Sequence, residues 1–307
     1  MTQILFTVLF AILLDRLLPD RAGLVVTNWY NDWIESIEQR FNGGTRTHGI
    51  AAVIVAMVPI VLGILLARFI LGEIGRWLAF AFDVIVLYLC VELDRLGRSA
   101  HAVAEGLDEG NVVGANQALM GLTGKSAPQL TESDIARESI GAILKQGNWL
   151  VVAPIFWFLF LGPAGAAIQR LAASLDRMWG HRDSRYMQFG WAAARVNDLL
   201  GWIPARITAL SYAIMGSFED ALHCWRRQAR MWSDINSGPL LASGFGAMHM
   251  NDCEARDDVE DMDAAQITAN SGDVRRAMAL LWRVLLFWLA VAILMAGAHL
   301  FGIFFPD

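Results

Sequence analysis

Charge, cysteine and proline are all scarce in this sequence. Charged residues make up 18% of its 307 residues, and there are three cysteines and eight prolines. A soluble domain typically carries about 25% charged residues. Three scattered cysteines are too few for a disulfide framework or a zinc cluster, so we expect no metal site. Acidic residues outnumber basic ones by 30 to 24, which argues against nucleic acid as a partner.

Apolar residues and tryptophan are abundant instead. Hydrophobic residues make up 56% of the chain, and there are twelve tryptophans. A helix that crosses the hydrocarbon layer of a membrane, about 30 Å thick, needs about 20 apolar residues. Three uncharged runs meet this requirement: Ile50–Ala67, Trp149–Gln169 and Val284–Pro306. We therefore expect a helical membrane protein whose surroundings are a lipid bilayer.

Two further runs are apolar but contain a charge. Trp77–Val91 contains Asp83, and Leu199–Phe218 contains Arg206. A charge near the centre of a membrane helix costs at least about 2.5–3.5 kcal/mol, so we expect Asp83 to face protein or water. The predicted fold is an all-α, polytopic integral membrane helical bundle with about five transmembrane helices and helical connecting loops. The orientation of the bundle stays open. The side of the membrane that is richer in Lys and Arg is expected to be cytoplasmic, and that side changes if Leu199–Phe218 does not cross the membrane.

The alternation of apolar and polar stretches divides a single membrane domain, 1–307, into six regions. They are an N-terminal amphipathic segment (1–49), a helical hairpin (50–91), a helical loop (92–148), a core motif region (149–220), a polar loop (221–283) and a C-terminal transmembrane helix (284–307). In the first region a helical stripe lies opposite acids: Trp29, Trp33, Ile34, Ile37 and Phe41 against Asp32, Glu35 and Glu38. That helix either lies on the bilayer surface or packs on the rest of the protein. Further along, Thr131 or Ser133 is placed to cap another helix.

An arginine-rich segment follows the second uncharged run. Five arginines lie between positions 177 and 206, mixed with Asp176, Asp183 and Asp198. Guanidinium groups bind carboxylate or phosphate in bidentate fashion, so the segment suits an anionic ligand in a sheltered cleft beside the membrane. Three plainer explanations stay open. Arg195 and Asp198 form an ordinary helix pair, the arginines bind lipid headgroups, or Pro204 merely starts a new helical segment.

A series of motifs runs in order through about residues 105–220. It comprises Arg137…Ser139-Ile140, Val151-Val152-Ala153-Pro154-Ile155-Phe156-Trp157, Gly162-Pro163-Ala164-Gly165-Ala166, Leu175-Asp176, Arg185-Tyr186, Phe189-Gly190-Trp191-Ala192, Ala194-Arg195, Asp198 and Ile203-Pro204-Ala205-Arg206-Ile207-Thr208-Ala209. This series resembles the CobD/CbiB family of integral membrane proteins in cobalamin biosynthesis.

The resemblance implies an amide-forming enzyme. Members of the family join an aminopropanol, or its phosphate, to a side-chain carboxylate of adenosylcobyric acid, which gives adenosylcobinamide or its phosphate. The corrinoid and the aminopropanol phosphate are then substrates, and the protein is expected in the bacterial inner membrane as a multi-pass protein. Any other cofactor and the oligomeric state stay open.

Residue chemistry assigns hypothetical roles within this reaction. The catalytic candidates are Asp176 and Asp198, either of which is suited to orient or deprotonate the amine. The substrate-binding candidates share a polar side chain and a place in or near the motifs: Arg137, Arg185, Tyr186, Arg195, Arg206 and Asn236.

The chain departs from the family pattern at several polar positions. Lys145-Gln146 stands where the family usually has Glu-Asn, and Trp149 and Ala173 replace an Asp and an Asn. A paired Asp-Asp is Asn197-Asp198 here, and the closing segment survives only as Asn236-Ser237-Gly238-Pro239. A polar active site with fewer acids and amides weakens the expectation of unchanged chemistry.

A second set of motifs is similar to AmpE, a related inner-membrane protein implicated as a signalling modulator in β-lactamase induction. These motifs are Leu5-Phe6-Thr7…Asp15-Arg16-Leu17, Trp202-Ile203-Pro204-Ala205-Arg206, Tyr212-Ala213-Ile214-Met215-Gly216 and Glu219-Asp220-Ala221-Leu222…Trp225. The alternative function is therefore a non-catalytic signalling or partner-binding protein. A transporter is less favoured, because the apolar runs lack paired charges and helix breaks at matching positions.

Overall fold

Helices make up the fold, as the apolar pattern predicts. The computed structural model describes residues 2–18, 21–124, 130–180, 186–232, 234–250 and 268–300, and no strand occurs within them. In chain order the helices are α1 (Thr2–Leu17), α2 (Arg21–Phe41), α3 (Arg46–Ile74), α4 (Arg76–Cys90), α5 (Leu93–Asp108), α6 (Val112–Thr123), α7 (Glu132–Gly147), a π-helical turn (Asn148–Val152), α8 (Ala153–Trp179), α9 (Trp191–Met215), α10 (Phe218–Gln228), a 3-10 turn (Ala229–Met231), α11 (Ser237–Ala247) and α12 (Ser271–Leu300).

Three helical stretches in the described residues are long and apolar enough to cross a membrane. They are Arg46–Ile74, Glu132–Trp179 and Ser271–Leu294. Large apolar side chains on α3 are exposed, among them Leu62 at 58% and Phe69 at 66%. Exposed apolar surface of this kind suits lipid, so the chain is a membrane protein. The all-α membrane fold is confirmed, while a count of five transmembrane helices stays a prediction.

The chain folds into two compact units. The first comprises Met1–Leu93 and Trp149–Gly201, and the second comprises Asp94–Asn148 and Trp202–Asp307. The predicted division of one domain into six regions stays a prediction. The predicted polar loop, 221–283, contains most of α10 and all of α11. Every residue of α11 is buried, since its sequence is small and apolar and packs on α10 and α7.

In the first unit, the buried face of α2 overlaps the predicted stripe only in part. Its buried apolar residues are Tyr30, Ile34 and Ile37, which pack with the small residues Ala52 and Ala56 of α3. Trp29 and Trp33 are exposed instead, and Glu38 is buried and accepts a hydrogen bond from Asn42 at 3.0 Å. Of the two positions that the sequence left open, α2 therefore packs on the rest of the protein, and it does so through one face only. Small side chains on α3 let the two helices approach closely, and this decides which stripe is buried.

Two ion pairs lie among the apolar helices of the first unit. Asp83 is 7% exposed, and its Oδ1 lies 2.6 Å from Arg68 Nε on the preceding helix. The prediction that Asp83 faces protein is confirmed, because an unpaired carboxylate in this position would be costly to desolvate. Glu92 and Arg170 form a second pair, and both are buried. The sequence did not indicate this second pair.

The helix α8 is broken near its middle. Gly162 has φ 63° and ψ −152° and is followed by Pro163, a backbone conformation that only glycine adopts readily. Beyond the break, Gly165 lies so close to the carbonyl oxygen of Trp157 that an added Cβ would collide with it. The uncharged run Trp149–Gln169 is therefore not one continuous helix, although its composition predicts one.

Pro204 lies inside α9 and does not start a new helical segment. A proline has no backbone N–H, so the carbonyl four residues earlier loses its helical donor. That carbonyl belongs to Leu200, and it accepts a hydrogen bond from the indole Nε1 of Trp157 at 2.9 Å. The tryptophan donor replaces the missing bond, and α9 continues through the proline.

The second unit has a capped entry helix and a polar hydrogen-bond network beside it. Thr131 is the N-cap of α7 and forms a capping box with Asp134, which confirms one of the two predicted caps. The side chain of Asn148 accepts a hydrogen bond from Thr208 at 2.9 Å, and the Tyr212 hydroxyl donates to the Leu144 carbonyl at 2.9 Å. These bonds join α7 to α9 at buried positions.

Candidate functional site

Two family-motif segments meet in the second unit. Arg206 follows the buried pair Pro204 and Ala205 on α9, and Asn236 immediately precedes α11. Gly238 packs against the carbonyl of Ala229 with no room for a Cβ. This close approach places the start of α11 against the 3-10 turn, because a larger residue would push the two backbones apart.

Arg206 is held in a defined orientation. Its Nη1 donates to Asn236 Oδ1 at 3.2 Å and to the carbonyl oxygen of Trp202 at 2.8 Å. Its guanidinium plane lies over the Trp202 ring, 4.1 Å from the ring centroid. Asn236 is fully buried and donates its backbone N–H to Asp234 Oδ1 at 2.9 Å. The two predicted binding residues, 30 positions apart, therefore form one contact.

A pocket of about 690 Å³ opens beside this contact, and we call it the arginine pocket. Its described lining combines basic and apolar side chains: Arg206, Leu222, Trp225, Arg226, Ala229, Arg230, Trp232, Ile235 and Pro239. No acid occurs among these residues. Within the described part of the chain, no hydrogen bond or ion pair engages Arg226 or Arg230. The size is that of a small-molecule site.

The composition of the arginine pocket selects for one kind of ligand. Three guanidinium groups without a facing carboxylate attract carboxylate or phosphate groups. Two indole rings and the aliphatic lining bury an apolar body and offer flat surfaces for stacking. The pocket is therefore suited to an anion attached to an organic framework.

The predicted catalytic residues lie in the first unit and have different partners. Asp176 Oδ2 accepts a hydrogen bond from Asn197 Nδ2 at 2.8 Å. Asp198 Oδ2 lies 3.7 Å from Arg195 Nη1, one helical turn earlier, with side chains 35% and 65% exposed. Arg195 and Asp198 thus form the ordinary i,i+3 helix pair that the sequence offered as an alternative to a ligand-binding role. Such exposed pairs contribute little stability.

The remaining predicted residues are more dispersed. Arg137 on α7 places its guanidinium carbon 5.3 Å from the centroid of the Phe245 ring. Tyr186 is partly buried at the start of the described turn before α9, and Arg185 lies outside the described residues. The described contacts thus join Arg206 with Asn236, and Arg195 with Asp198. A single cleft that gathers all of them stays a prediction.

Sequence reasoning missed the basic and aromatic residues of α10 and the turn after it. Trp225, Arg226, Arg230 and Trp232 line the arginine pocket. The signal was present, because two tryptophans and three arginines occur within the eight residues 225–232. Interleaved aromatic and basic residues of this kind indicate a surface for an amphipathic anion.

One of the most specific family motifs is a packing element. Phe189 is completely buried and meets the Trp179 ring at 4.9 Å between centroids. A Cβ at Gly190 would collide with the Trp179 carbonyl, and one at Gly49 would collide with the Phe189 carbonyl. The Phe-Gly part of the motif therefore holds α8, α9 and α3 together rather than binding a ligand.

Taken together, the fold and the arginine pocket define a helical membrane protein with a pocket whose chemistry suits an organic anion. The chain belongs to the CobD/CbiB family, since the model of the CobD/Cbib protein family matches residues 8–281. This confirms the resemblance carried by the motifs, and the chain is a CobD/CbiB-type protein of cobalamin biosynthesis. The AmpE-like alternative is not favoured.

Relatives support the assignment over most of the chain. The cobalamin biosynthesis protein CobD of Stutzerimonas stutzeri is 38% identical over 252 residues, which cover 80% of this chain and 81% of that protein. The CobD protein of Chromobacterium violaceum is 40% identical over 204 residues, covering 66% and 64%. That of Rhodobacter capsulatus is 32% identical over 230 residues, covering 74% and 73%. No solved structure matches the chain.

Proposed function

We propose that this protein forms the amide bond between aminopropanol, or its phosphate, and a side-chain carboxyl group of adenosylcobyric acid. In the overall reaction the amine nitrogen bonds to the carboxyl carbon and a carbon–oxygen bond of the carboxylate breaks. The released oxygen leaves as water with two protons of the ammonium group, and the amide nitrogen keeps the third. The product is adenosylcobinamide or its phosphate. Family membership and the chemistry of the described residues support this reaction.

The observation that carries the proposal is the contact between Arg206 and Asn236 at the wall of the arginine pocket. Adenosylcobyric acid offers a carboxylate, and aminopropanol phosphate offers a phosphate group. A guanidinium group fixed by stacking and by two hydrogen bonds loses little entropy when it binds such a group. Arg226 and Arg230 add positive charge on the same pocket.

One departure from the family pattern, Gln146, is compatible with activity. Gln146 donates its amide to the Leu122 carbonyl and so joins α7 to α6. Its role is structural, and a changed amide there does not remove a group from the arginine pocket. Arg137, Arg185, Tyr186 and Arg195 remain proposals as further substrate contacts.

We propose that the protein works in the bacterial inner membrane as a multi-pass protein. Three stretches with the length and composition of membrane helices support this placement. The helices α4 and α9 coincide with the two weaker apolar runs and complete the proposed set of five crossings. Lipid then surrounds the exposed apolar faces, while the corrinoid and the amine are the soluble partners.

A direct assay tests the function. Purified full-length protein in detergent is incubated with adenosylcobyric acid and either aminopropanol or its phosphate, with and without a nucleoside triphosphate and Mg²⁺. Mass spectrometry then detects the amide product. The double variant R226Q/R230Q should lower kcat/KM about ten- to a hundredfold, because it removes charge-assisted contacts.

The matched control is R227Q, which changes the neighbouring arginine of α10 that does not line the pocket. We expect this variant to retain nearly full activity. Failure of the wild-type protein to form product under every condition would contradict the proposed reaction. Equal activity of R226Q/R230Q and R227Q would remove the arginine pocket from it.

A further inference from the structure

Two parts of the arginine pocket differ in their exposure. Arg206 is half-buried and is oriented by Asn236 and by the Trp202 ring. The exposed part of the lining consists of Arg226, Arg230, Trp232 and Ile235, and we call it the pocket rim. The rim is the part of the pocket that a molecule in the surroundings meets first.

The two rim arginines carry unused charge. Arg226 and Arg230 make no hydrogen bond or ion pair with the described residues. They lie four positions apart and line the same pocket. Like charges at this spacing repel each other, and an anion that both guanidinium groups contact relieves the repulsion. The rim therefore favours a ligand with a phosphate or carboxylate group.

Large apolar side chains stand beside these arginines. Met231 is 58% exposed, Trp232 is 44% exposed and Ile235 is 55% exposed. Contiguous exposed apolar side chains mark a surface that contacts protein or membrane. Basic residues interleaved with aromatic and aliphatic ones are typical of segments at a membrane surface, where the charges meet headgroups and the apolar groups meet acyl chains.

The apolar surface continues onto α9. Trp202 and Ile203 are exposed about one helical turn before Arg206, and Leu210 is exposed about one turn after it. Arg206 thus lies on an apolar helix face and also lines the arginine pocket. A long basic side chain in this position reaches from lipid towards polar groups. The pocket therefore borders a surface that suits lipid.

The charge of this region is opposite to that of the whole chain. The chain carries 30 acidic and 24 basic residues, whereas 225–232 contains three arginines and no acid. The next acid along the chain is Asp234, and its carboxylate accepts hydrogen bonds from the Asn236 N–H and the Ser237 hydroxyl at the start of α11. A local positive charge on an acidic protein indicates a specific anionic partner rather than general attraction.

We propose that the pocket rim binds an anionic phospholipid of the surrounding bilayer. The phosphate lies between Arg226 and Arg230, and the acyl chains lie along Met231, Trp232 and Ile235. Guanidinium groups bind phosphate in bidentate fashion, and basic pockets beside membrane helices bind anionic headgroups. A zwitterionic lipid binds more weakly, because its own ammonium group offsets the phosphate charge.

This inference goes beyond the proposed function, because the reaction does not consume the lipid. Arg206 is not part of the rim and stays available for a substrate anion. A lipid phosphate and a substrate anion then have separate guanidinium partners. Lipid binding is measured without product formation, so the two proposals are tested independently.

Native mass spectrometry of the purified full-length protein in a non-ionic detergent tests the site. The protein is titrated with dioleoyl phosphatidylglycerol, with dioleoyl phosphatidylcholine, and with glycerol phosphate, which has the phosphate but no acyl chains. Each basic residue beside an anionic headgroup contributes about a fivefold gain in affinity. We therefore expect the wild-type protein to prefer phosphatidylglycerol to phosphatidylcholine about twenty- to thirtyfold, and R226Q and R230Q each to lower this preference about fivefold.

Two further variants separate the charges from the apolar contacts. R227Q removes the same charge from α10 outside the pocket lining and should keep the preference. M231S keeps both rim arginines and removes an exposed apolar side chain. It should weaken the binding of phosphatidylglycerol and leave that of glycerol phosphate unchanged. All four side chains are exposed, and thermal unfolding verifies that each variant folds.

The outcomes decide between the possible ligands. Glycerol phosphate bound as tightly as phosphatidylglycerol would overturn the lipid site and assign the rim to a soluble anion. An equal loss of preference in R226Q, R230Q and R227Q would also overturn it, because attraction to the lipid would then be general. Selective lipid binding without amide product would support this inference and contradict the proposed function. Amide product without selective lipid binding would do the reverse.

Discussion

Replacing Arg206 by lysine separates the charge of this side chain from its shape. Lysine keeps the positive charge but cannot stack flat on Trp202, where the guanidinium carbon lies 4.1 Å from the ring centroid. It also loses the fixed bond to Asn236. Stacking is worth about 0.5–2 kcal/mol, and the hydrogen bond about 0.5–1.5 kcal/mol net. The combined loss of about 1–3.5 kcal/mol predicts an affinity for the anionic substrate that is about five- to three-hundredfold lower.

A double-mutant cycle measures this effect and its cause. Titration of adenosylcobyric acid is compared for the wild-type protein, R206K, W202L and R206K/W202L. If the stack on Trp202 orients Arg206, the effect of R206K should shrink in the W202L background. Wild-type affinity in R206K would refute the argument that shape matters. The same loss in both backgrounds would show that Trp202 does not orient the guanidinium group.

Two further predictions concern packing and pH. G165A should lower the free energy of unfolding by about 1–3 kcal/mol, because its Cβ meets the Trp157 carbonyl. The control is G63A, where an added Cβ meets nothing within 4 Å. Equal melting temperatures of the two variants would contradict the close approach at Gly165. Hydrogen bonding by Arg275 holds the pKa of the exposed Asp108 below its ordinary range. Stability from this contact is present above the unfolded pKa, about 3.9, and is lost as pH falls through the lower folded pKa. The melting-temperature difference between wild type and D108N should therefore shrink between pH 6 and pH 3, and a constant difference would exclude the contact.

The family motifs separate into packing elements and binding elements once the fold is known. Phe189 and Gly190 bury an aromatic contact and a close backbone approach. Arg206 ends another motif and lines the arginine pocket. A motif in one sequence does not distinguish these roles, because burial of a side chain depends on elements that are distant along the chain.

Predictions from the sequence were correct where the interaction involves residues that are close together along the chain. Thr131 caps α7 because its side chain and the N–H of Asp134 are three residues apart. The burial of Asp83 followed from the cost of exposing a charge to lipid, although its partner Arg68 was not predicted. The predicted stripe on α2 was correct at Ile34 and Ile37, which are buried, and wrong at Trp29 and Trp33, which are exposed. Apolar residues extend beyond one narrow stripe on this helix, and packing against α3 decides which of them are buried.

Composition and apolar length alone determined that this is a helical membrane protein, because a bilayer requires every spanning segment to satisfy its own backbone hydrogen bonds. The order of motifs also identified the family. Only the tertiary structure decided that α8 breaks at Gly162, that Asn197 donates to Asp176, and which arginines line the pocket. The last two depend on groups that are far apart in sequence and close in space, and such pairs are set by packing rather than by local pattern.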